Sequence, residues 1–228
     1  MSGVTGAPGH DGHPDSGFAP ERFRAEESVD IDARPETVFD IVTDVRRTPE
    51  WSPVVAEASL REGTAGDDGR PTVGSVIVGV NRKGDRTWTT ESRVDVVERP
   101  SRFVWTVAGG VVTWGYRIDA TDSGCSLTET WHVNDEGFAF FRDRYGDDAA
   151  AQLESRRDDA LSGIPAILDR IRRIAEAVGA DAEPGDGDSV VHVRSPLRLT
   201  PTMTEPTVGR PSSPTVPPRA RVGASDLR

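Results

Sequence analysis

From residue 147 to 179 the apolar side chains fall into one stripe. Leu153, Ala160, Leu161, Ile164, Ile167, Leu168, Ile171, Ile174 and Val178 recur at a period near 3.6, with Arg and Asp opposite. The pattern predicts a single amphipathic helix, roughly 46 Å long from Asp148 to Val178 at 1.5 Å per residue. Asp147 is placed to cap its start and Gly179 its end. Pro165 removes the bond to the Leu161 carbonyl, so a bend is expected near Gly163. A stripe this long needs an equally long apolar surface to cover it, and the preceding sequence supplies strands.

Ser28–Asp32 alternates polar and apolar residues, as a half-buried strand does. Pro35 then suits the first turn of a helix, where its missing N–H is not needed. Val38, Phe39, Ile41, Val42 and Val45 follow at helical spacing until Thr48-Pro49. Strands are predicted at 54–60, 72–81, 86–98, 102–108, 111–120 and 125–134. Short turns at Lys83-Gly84-Asp85, Arg99-Pro100, Gly109-Gly110 and Asp122-Ser123-Gly124 link the last five into an antiparallel meander. The Val, Thr and Trp content of these runs suits a pleated surface. A strand and short helix in front, a sheet in the middle and a long helix behind can enclose an apolar interior.

Composition limits what such a body does. The 228 residues carry a formal charge of −11. The stretch from 190 onward, with Arg outnumbering acid, contributes +4, which leaves −15 for the rest. An acidic body argues against nucleic-acid binding, which needs clustered Lys and Arg. Cys125 is the only cysteine, so no intrachain disulfide forms. No run of apolar residues is long enough to span a membrane, and the first residues lack the basic and apolar regions of a secretory signal. A cytoplasmic location is expected. Residues 1–24 are predicted to be a disordered tail, residues 25–180 the folded domain, and residues 181–228 a Pro-rich extended tail. That second tail is read as a solvated appendage, or as a segment that docks a protein partner's aromatic groove.

Several segments together resemble the SRPBCC, or START-like (Bet v 1-like), superfamily in its polyketide cyclase/dehydrase branch. They are Ala33-Arg34-Pro35-Glu36-Thr37-Val38-Phe39, Asp44-Val45 on to Pro49-Glu50-Trp51, Val94 to Glu98-Arg99-Pro100-Ser101-Arg102-Phe103-Val104-Trp105, and Gly124-Cys125-Ser126-Leu127-Thr128-Glu129-Thr130. The resemblance covers about residues 26–178. It implies an α+β helix-grip: a curved antiparallel sheet wrapped around a long C-terminal helix, with two short helices after the first strand. It also implies a cavity for a small hydrophobic ligand. The superfamily has no shared catalytic motif, so no catalytic residue is carried over. The Pro-rich tail and the aromatic insertion Phe138–Tyr145 depart from the pattern, and fold alone does not fix function.

Strand alternation nominates interior residues. In 125–133, Cys125, Leu127, Glu129 and Trp131 share a face. That face is apolar apart from Glu129, so the carboxyl is expected inside. There its charged form is disfavoured, and it would serve as acid, base or hydrogen-bonding anchor. The alternatives are that Glu129 pairs with a neighbouring Arg, or that a bulge turns it outward. Tyr116 is the second candidate for proton transfer, or else core filler with its hydroxyl satisfied at the rim. Trp114, Tyr116 and Ile118 form one row, Phe103, Trp105 and Val107 another, and Trp88, Thr90, Ser92 and Val94 a third. Thr90 and Ser92 are the sparse hydroxyls that orient a ligand in an apolar pocket. Trp51 and Trp88 are placed near its mouth. The expected ligand-facing set is Trp51, Trp88, Thr90, Ser92, Trp105, Trp114, Leu127, Trp131, Phe141, Leu161, Ile164 and Leu168. Phe138, Phe140, Phe141 and Tyr145, read as a loop, are either a lid or a plug at the core's end.

No metal site is expected. The ligand types around His10 and His13 lie in the predicted tail, and His132 and His192 have no visible partners. No phosphate loop, Cys-x-x-Cys pair or nucleophile elbow occurs, so no cofactor is expected. Three functions remain open: binding of a polyketide, lipid or aromatic metabolite; a cyclase/aromatase in which Glu129 or Tyr116 moves protons during aldol closure and dehydration; and a protein-interaction module whose interior is only a core.

Overall fold

A computed structural model of the chain describes residues 19–182. The Pro-rich tail, most of the N-terminal tail, the His10 and His13 cluster and His192 lie outside the described residues. Seven strands form one antiparallel sheet in the order β1-β7-β6-β5-β4-β3-β2. They are β1 (Arg24–Ile31), β2 (Val55–Leu60), β3 (Val76–Lys83), β4 (Arg86–Glu98), β5 (Arg102–Val107), β6 (Val112–Thr121) and β7 (Gly124–Val133). Helix α1 (Pro35–Thr43) and a 3-10 turn (Val45–Glu50) follow β1, and α2 (Asp135–Tyr145) and α3 (Ala149–Ala182) follow β7. The protein is an α+β helix-grip with a long C-terminal helix.

Helix α1 starts where Pro35 fixes φ and its absent N–H is not missed. It buries Val38, Phe39, Ile41 and Val42, and Thr43 Oγ1 donates to the Phe39 carbonyl at 2.7 Å. The β3–β4 hairpin turns through Gly84 at φ 58°, a left-handed conformation that suits glycine. A bulge at Asp95, between the pairs Val94/Trp105 and Val96/Val104, bends β4 and keeps both Val94 and Val97 on the inner face.

The folded region begins earlier than residue 25. A 3-10 turn at Pro20–Phe23 leads into β1, and Phe23 is buried with its ring edge-on to Phe138 at 5.5 Å. One aromatic residue between Arg22 and Arg24, three places after Pro20, gives little sign that it docks against a distant helix. The segment expected to be a loop between the last strand and the long helix is helix α2. Phe138 and Phe141 occur at i and i+3 and are both buried. The aromatic cluster therefore closes the end of the core.

Helix α3 runs unbroken through Pro165 and packs chiefly along β1, with α1, α2 and β7 beside it. Arg157 Nε donates to the Arg22 carbonyl at 2.8 Å near the beginning of β1, and the Asp32 amide donates to Glu176 at 3.3 Å past its end. Leu153, Ala160, Ile164, Leu168, Ile171 and Ala175 are its buried stripe. Leu161, expected to face the ligand, is 38% exposed and lies at the edge of the buried stripe. It lies one residue, or 100°, around from Ala160, so it falls off the edge of a narrower stripe.

Candidate functional site

The inner face of the sheet is set by register. Glu27, Glu129, Tyr116 and Phe103 are successive cross-strand partners on β1, β7, β6 and β5. The next row is Trp131, Trp114, Trp105 and Val94. In the row after it, Ser92 lies opposite both Val107 and Ile77. Further along, Thr90 faces Gly79 and Trp88 faces Asn81.

Glu129 is 2% exposed, and its Oε2 has no hydrogen-bond partner. Burial in this apolar surrounding pushes its carboxyl from 4.5 up to about 8, against a hydrogen bond from Tyr116 that favours the charged form. Tyr116 is held well above its usual value, first by burial and then by the negative charge on Glu129, while a hydrogen bond from Trp51 acts the other way. Near neutral pH the site holds a largely protonated carboxylic acid and a neutral phenol. Both are donors, and both are shielded from water.

The Trp105 ring lies 5.5 Å from that of Tyr116, and Trp114 lies 6.3 Å from Trp131. Trp88, Thr90, Trp105 and Trp114 are only half-buried, although they lie on the face of the sheet toward α3. Helix α3 sits toward the β1–β7 side, which leaves the inner surface of β4–β6 less tightly covered than that of β7. Leu127, Trp131, Ile164 and Leu168 are buried, and so is Ser92. Phe141 belongs to the α2 aromatic cluster with Phe140 and Tyr145. Trp51, expected near a mouth, is buried in the core, with its carbonyl accepting from Arg170 at 3.1 Å. Trp88 is half-buried beneath the Arg86 guanidinium, 5.3 Å from its ring centre.

Two residues of this face were not singled out from the sequence. Asn81 is only 7% exposed, and its side-chain amide donates toward Thr90 Oγ1 at 3.1 Å. It shares parity with Ile77 and Gly79 in a run already read as a strand, and that parity was the available signal. Lys83, the chain's one lysine, ends β3 instead of lying in a turn, and Nζ reaches both carboxylate oxygens of Asp159 on α3 at 2.7 and 2.8 Å. Among the described residues no group of three or more His, Cys, Asp and Glu is placed to hold a metal, and no helix is long and apolar enough to cross a membrane.

Comparison with known proteins places this architecture. A Polyketide_cyc-like protein from Corynebacterium glutamicum, Cgl2372, is 36% identical, with a TM-score of 0.52 over 70% of this chain and 95% of that one. The di-domain ARO/CYC StfQ from the steffimycin biosynthetic pathway is 13% identical, with a TM-score of 0.54 over 71% of this chain and 53% of its own length. NE0264 from Nitrosomonas europaea is 13% identical, with a TM-score of 0.52 over 70% of this chain and 97% of that one. The two 13% likenesses speak to fold alone. No curated protein matches. A family model described as polyketide cyclase / dehydrase and lipid transport matches residues 22–169, and the chain belongs to that family.

Proposed function

We propose that the protein is a cytoplasmic binder of a small hydrophobic molecule (a polyketide, lipid or aromatic metabolite) held between the inner face of the sheet and α3, with Glu129 and Tyr116 as polar anchors. The observation that carries this reading is Glu129 itself. It is a buried, largely protonated carboxyl beside Phe103 and the tryptophan row, with one oxygen unpartnered. A buried polar atom left unpaired is costly, and a ligand carbonyl or hydroxyl would supply the partner. The half-buried Trp88, Trp105 and Trp114 provide apolar wall, and Thr90 and Ser92 provide sparse hydroxyls, as small-molecule sites commonly do. The family description, which joins lipid transport to cyclisation, agrees with a ligand of this class.

A second reading is favoured by one feature of the same site. A carboxyl pushed up to about 8 exists in both forms near neutral pH, as proton transfer requires. In a cyclase, the Glu129 carboxylate would take a proton from a methylene between two carbonyls. The resulting enolate carbon would attack a ketone of the same chain, and the alkoxide would be reprotonated before water leaves. Much of the rate would come from holding the chain folded.

Native mass spectrometry of protein purified from its own host tests the binding reading. A co-purifying small molecule is expected, and a consistently empty protein that also fails to take up apolar probes would sink it. Glu129→Gln separates the two readings. A carrier keeps most of its affinity, whereas a cyclase loses turnover by about two to four orders of magnitude.

A further inference from the structure

The inner face has a second polar locus, on the β3–β4 hairpin and well away from Glu129. Asn81 Nδ2 lies within reach of three acceptors: the Gly79 and Trp88 carbonyls, each at 3.4 Å, and Thr90 Oγ1 at 3.1 Å. Carbonyls only accept, so they fix which end of the amide is nitrogen. Oδ1 is thereby turned away from them, and among the described residues no donor is bonded to it. Thr90 Oγ1 accepts from Asn81, which leaves its own hydrogen to be donated elsewhere. The pair thus presents one acceptor and one donor side by side.

Gly79 faces Thr90 across the strands, and a Cβ there would crowd Thr90 Oγ1 at 3.1 Å and lie 3.9 Å from Asn81 Nδ2. The missing side chain lets the Thr90 hydroxyl lie close against the β3 backbone beside Asn81. The neighbouring cation, Lys83, is already neutralised by Asp159, so the locus suits an uncharged group.

We propose that Asn81, Thr90 and Gly79 form a second subsite that takes a hydroxyl at the far end of an elongated ligand whose carbonyl end meets Glu129 and Tyr116. This rests on the binding reading given above. Between the two loci lie three strand steps and several residues along β4, on the order of 20 Å, and the wall between them includes Trp105. The ligand class is therefore an extended apolar chain or ring system with a carbonyl at one end and a hydroxyl at the other.

The test compares methyl hexadecanoate with methyl 16-hydroxyhexadecanoate as displacers of N-phenyl-1-naphthylamine fluorescence from the full chain. The hydroxy ester is expected to bind roughly tenfold tighter, the scale of one or two neutral hydrogen bonds in a shielded site. Thr90→Val removes the donor at constant shape, and Gly79→Ala crowds the Thr90 hydroxyl out of position. Each should erase the preference, with melting curves confirming that the variants fold. Glu129→Gln should shift the affinity for both esters alike and keep the preference. Equal binding of the two esters to the unaltered protein, or a preference that survives both Thr90→Val and Gly79→Ala, overturns the subsite while leaving the binding reading intact. Failure of both esters to displace the probe overturns the binding reading and the subsite together.

Discussion

Tyr116 and Glu129 are direct cross-strand partners at the centre of the sheet, both buried, with the phenol near enough to the carboxyl to favour its charged form. Among the described residues neither has a cationic neighbour that shifts it and would justify burying a charge. The pair is stable because both members are neutral, and the chemistry of the site follows from that neutrality.

One consequence is a pH dependence of stability. The Glu129 carboxyl moves from 4.5 to about 8 on folding, mainly through burial. The unfolded chain releases this proton near 4.5 and the folded chain near 8, so between these values the folded state binds more protons. Stability therefore falls as pH rises, with the contribution complete below 4.5 and lost above 8. Glu129→Gln cannot ionise. Urea unfolding should show its stability gaining on the unaltered protein across that window, by an amount on the order of several kcal/mol. Parallel stability curves would show that Glu129 does not titrate there.

Tyr116→Phe should push the same carboxyl higher still, because the hydroxyl is the group that favours its charged form. The ring stays packed beside Trp105, so the stability change should be about 1 kcal/mol. Carbon NMR titration of the Glu129 carboxyl measures the shift directly. A midpoint that stays put or drops would mean the phenol does not hold the carboxyl.

Much of this arrangement is legible in the sequence, and the limits are physical. The period of two in β7 puts Cys125, Leu127, Glu129 and Trp131 on one face, and no bulge interrupts that strand's pairing with its neighbours. In β3 the same alternation gives Ile77, Gly79 and Asn81, but glycine and asparagine are poor strand formers, so their row does not stand out. Helix α2 had signals that were outweighed: Asn134 at the cap position and Asp135 and Glu136 in the first turn. Four aromatic residues, weak helix formers, and a glycine in eleven positions masked them. The position of Phe23 depends on a contact with a residue 115 places later, which local pattern cannot reveal.

The partial exposure of Leu161 is itself testable. Leu168→Ala and Ile164→Ala remove buried side chains from the face that α3 turns to the sheet, and each should cost about 2–5 kcal/mol. Leu161→Ser should stay within about 0.5 kcal/mol, and it should leave probe binding untouched. Chemical denaturation of the three variants decides the matter. A large loss at Leu161 with small losses at the other two would mean that α3 is rotated about its axis.

Two glycines in helices should respond to alanine with opposite signs. Gly163 lies within α3, and a Cβ there would meet nothing within 4 Å. Alanine removes backbone entropy from the unfolded chain at no steric cost, so Gly163→Ala should stabilise by about 0.5–1 kcal/mol. Gly137 lies in the first turns of α2, where the same propensity gain is available. That end of the helix is pressed onto the β5–β6 turn, however, with Asn134 Nδ2 donating to the Gly110 carbonyl at 2.8 Å and the Asn134 amide donating to the Val111 carbonyl at 3.1 Å. A Cβ on Gly137 would sit 2.2 Å from the Val111 oxygen and 2.7 Å from Val133 Cγ1. The backbone oxygen cannot swing aside as a side-chain tip can, so α2 must lift from the turn and strain the Asn134 bonds with it. Gly137→Ala should therefore destabilise by about 1–3 kcal/mol, the usual range for overpacking, despite its better helix propensity. Thermal melts of the two variants beside the parent read the signs directly. A stabilised Gly137→Ala would mean that α2 does not dock closely on the β5–β6 turn, and that Phe138 and Phe141 do not close this end of the core as described.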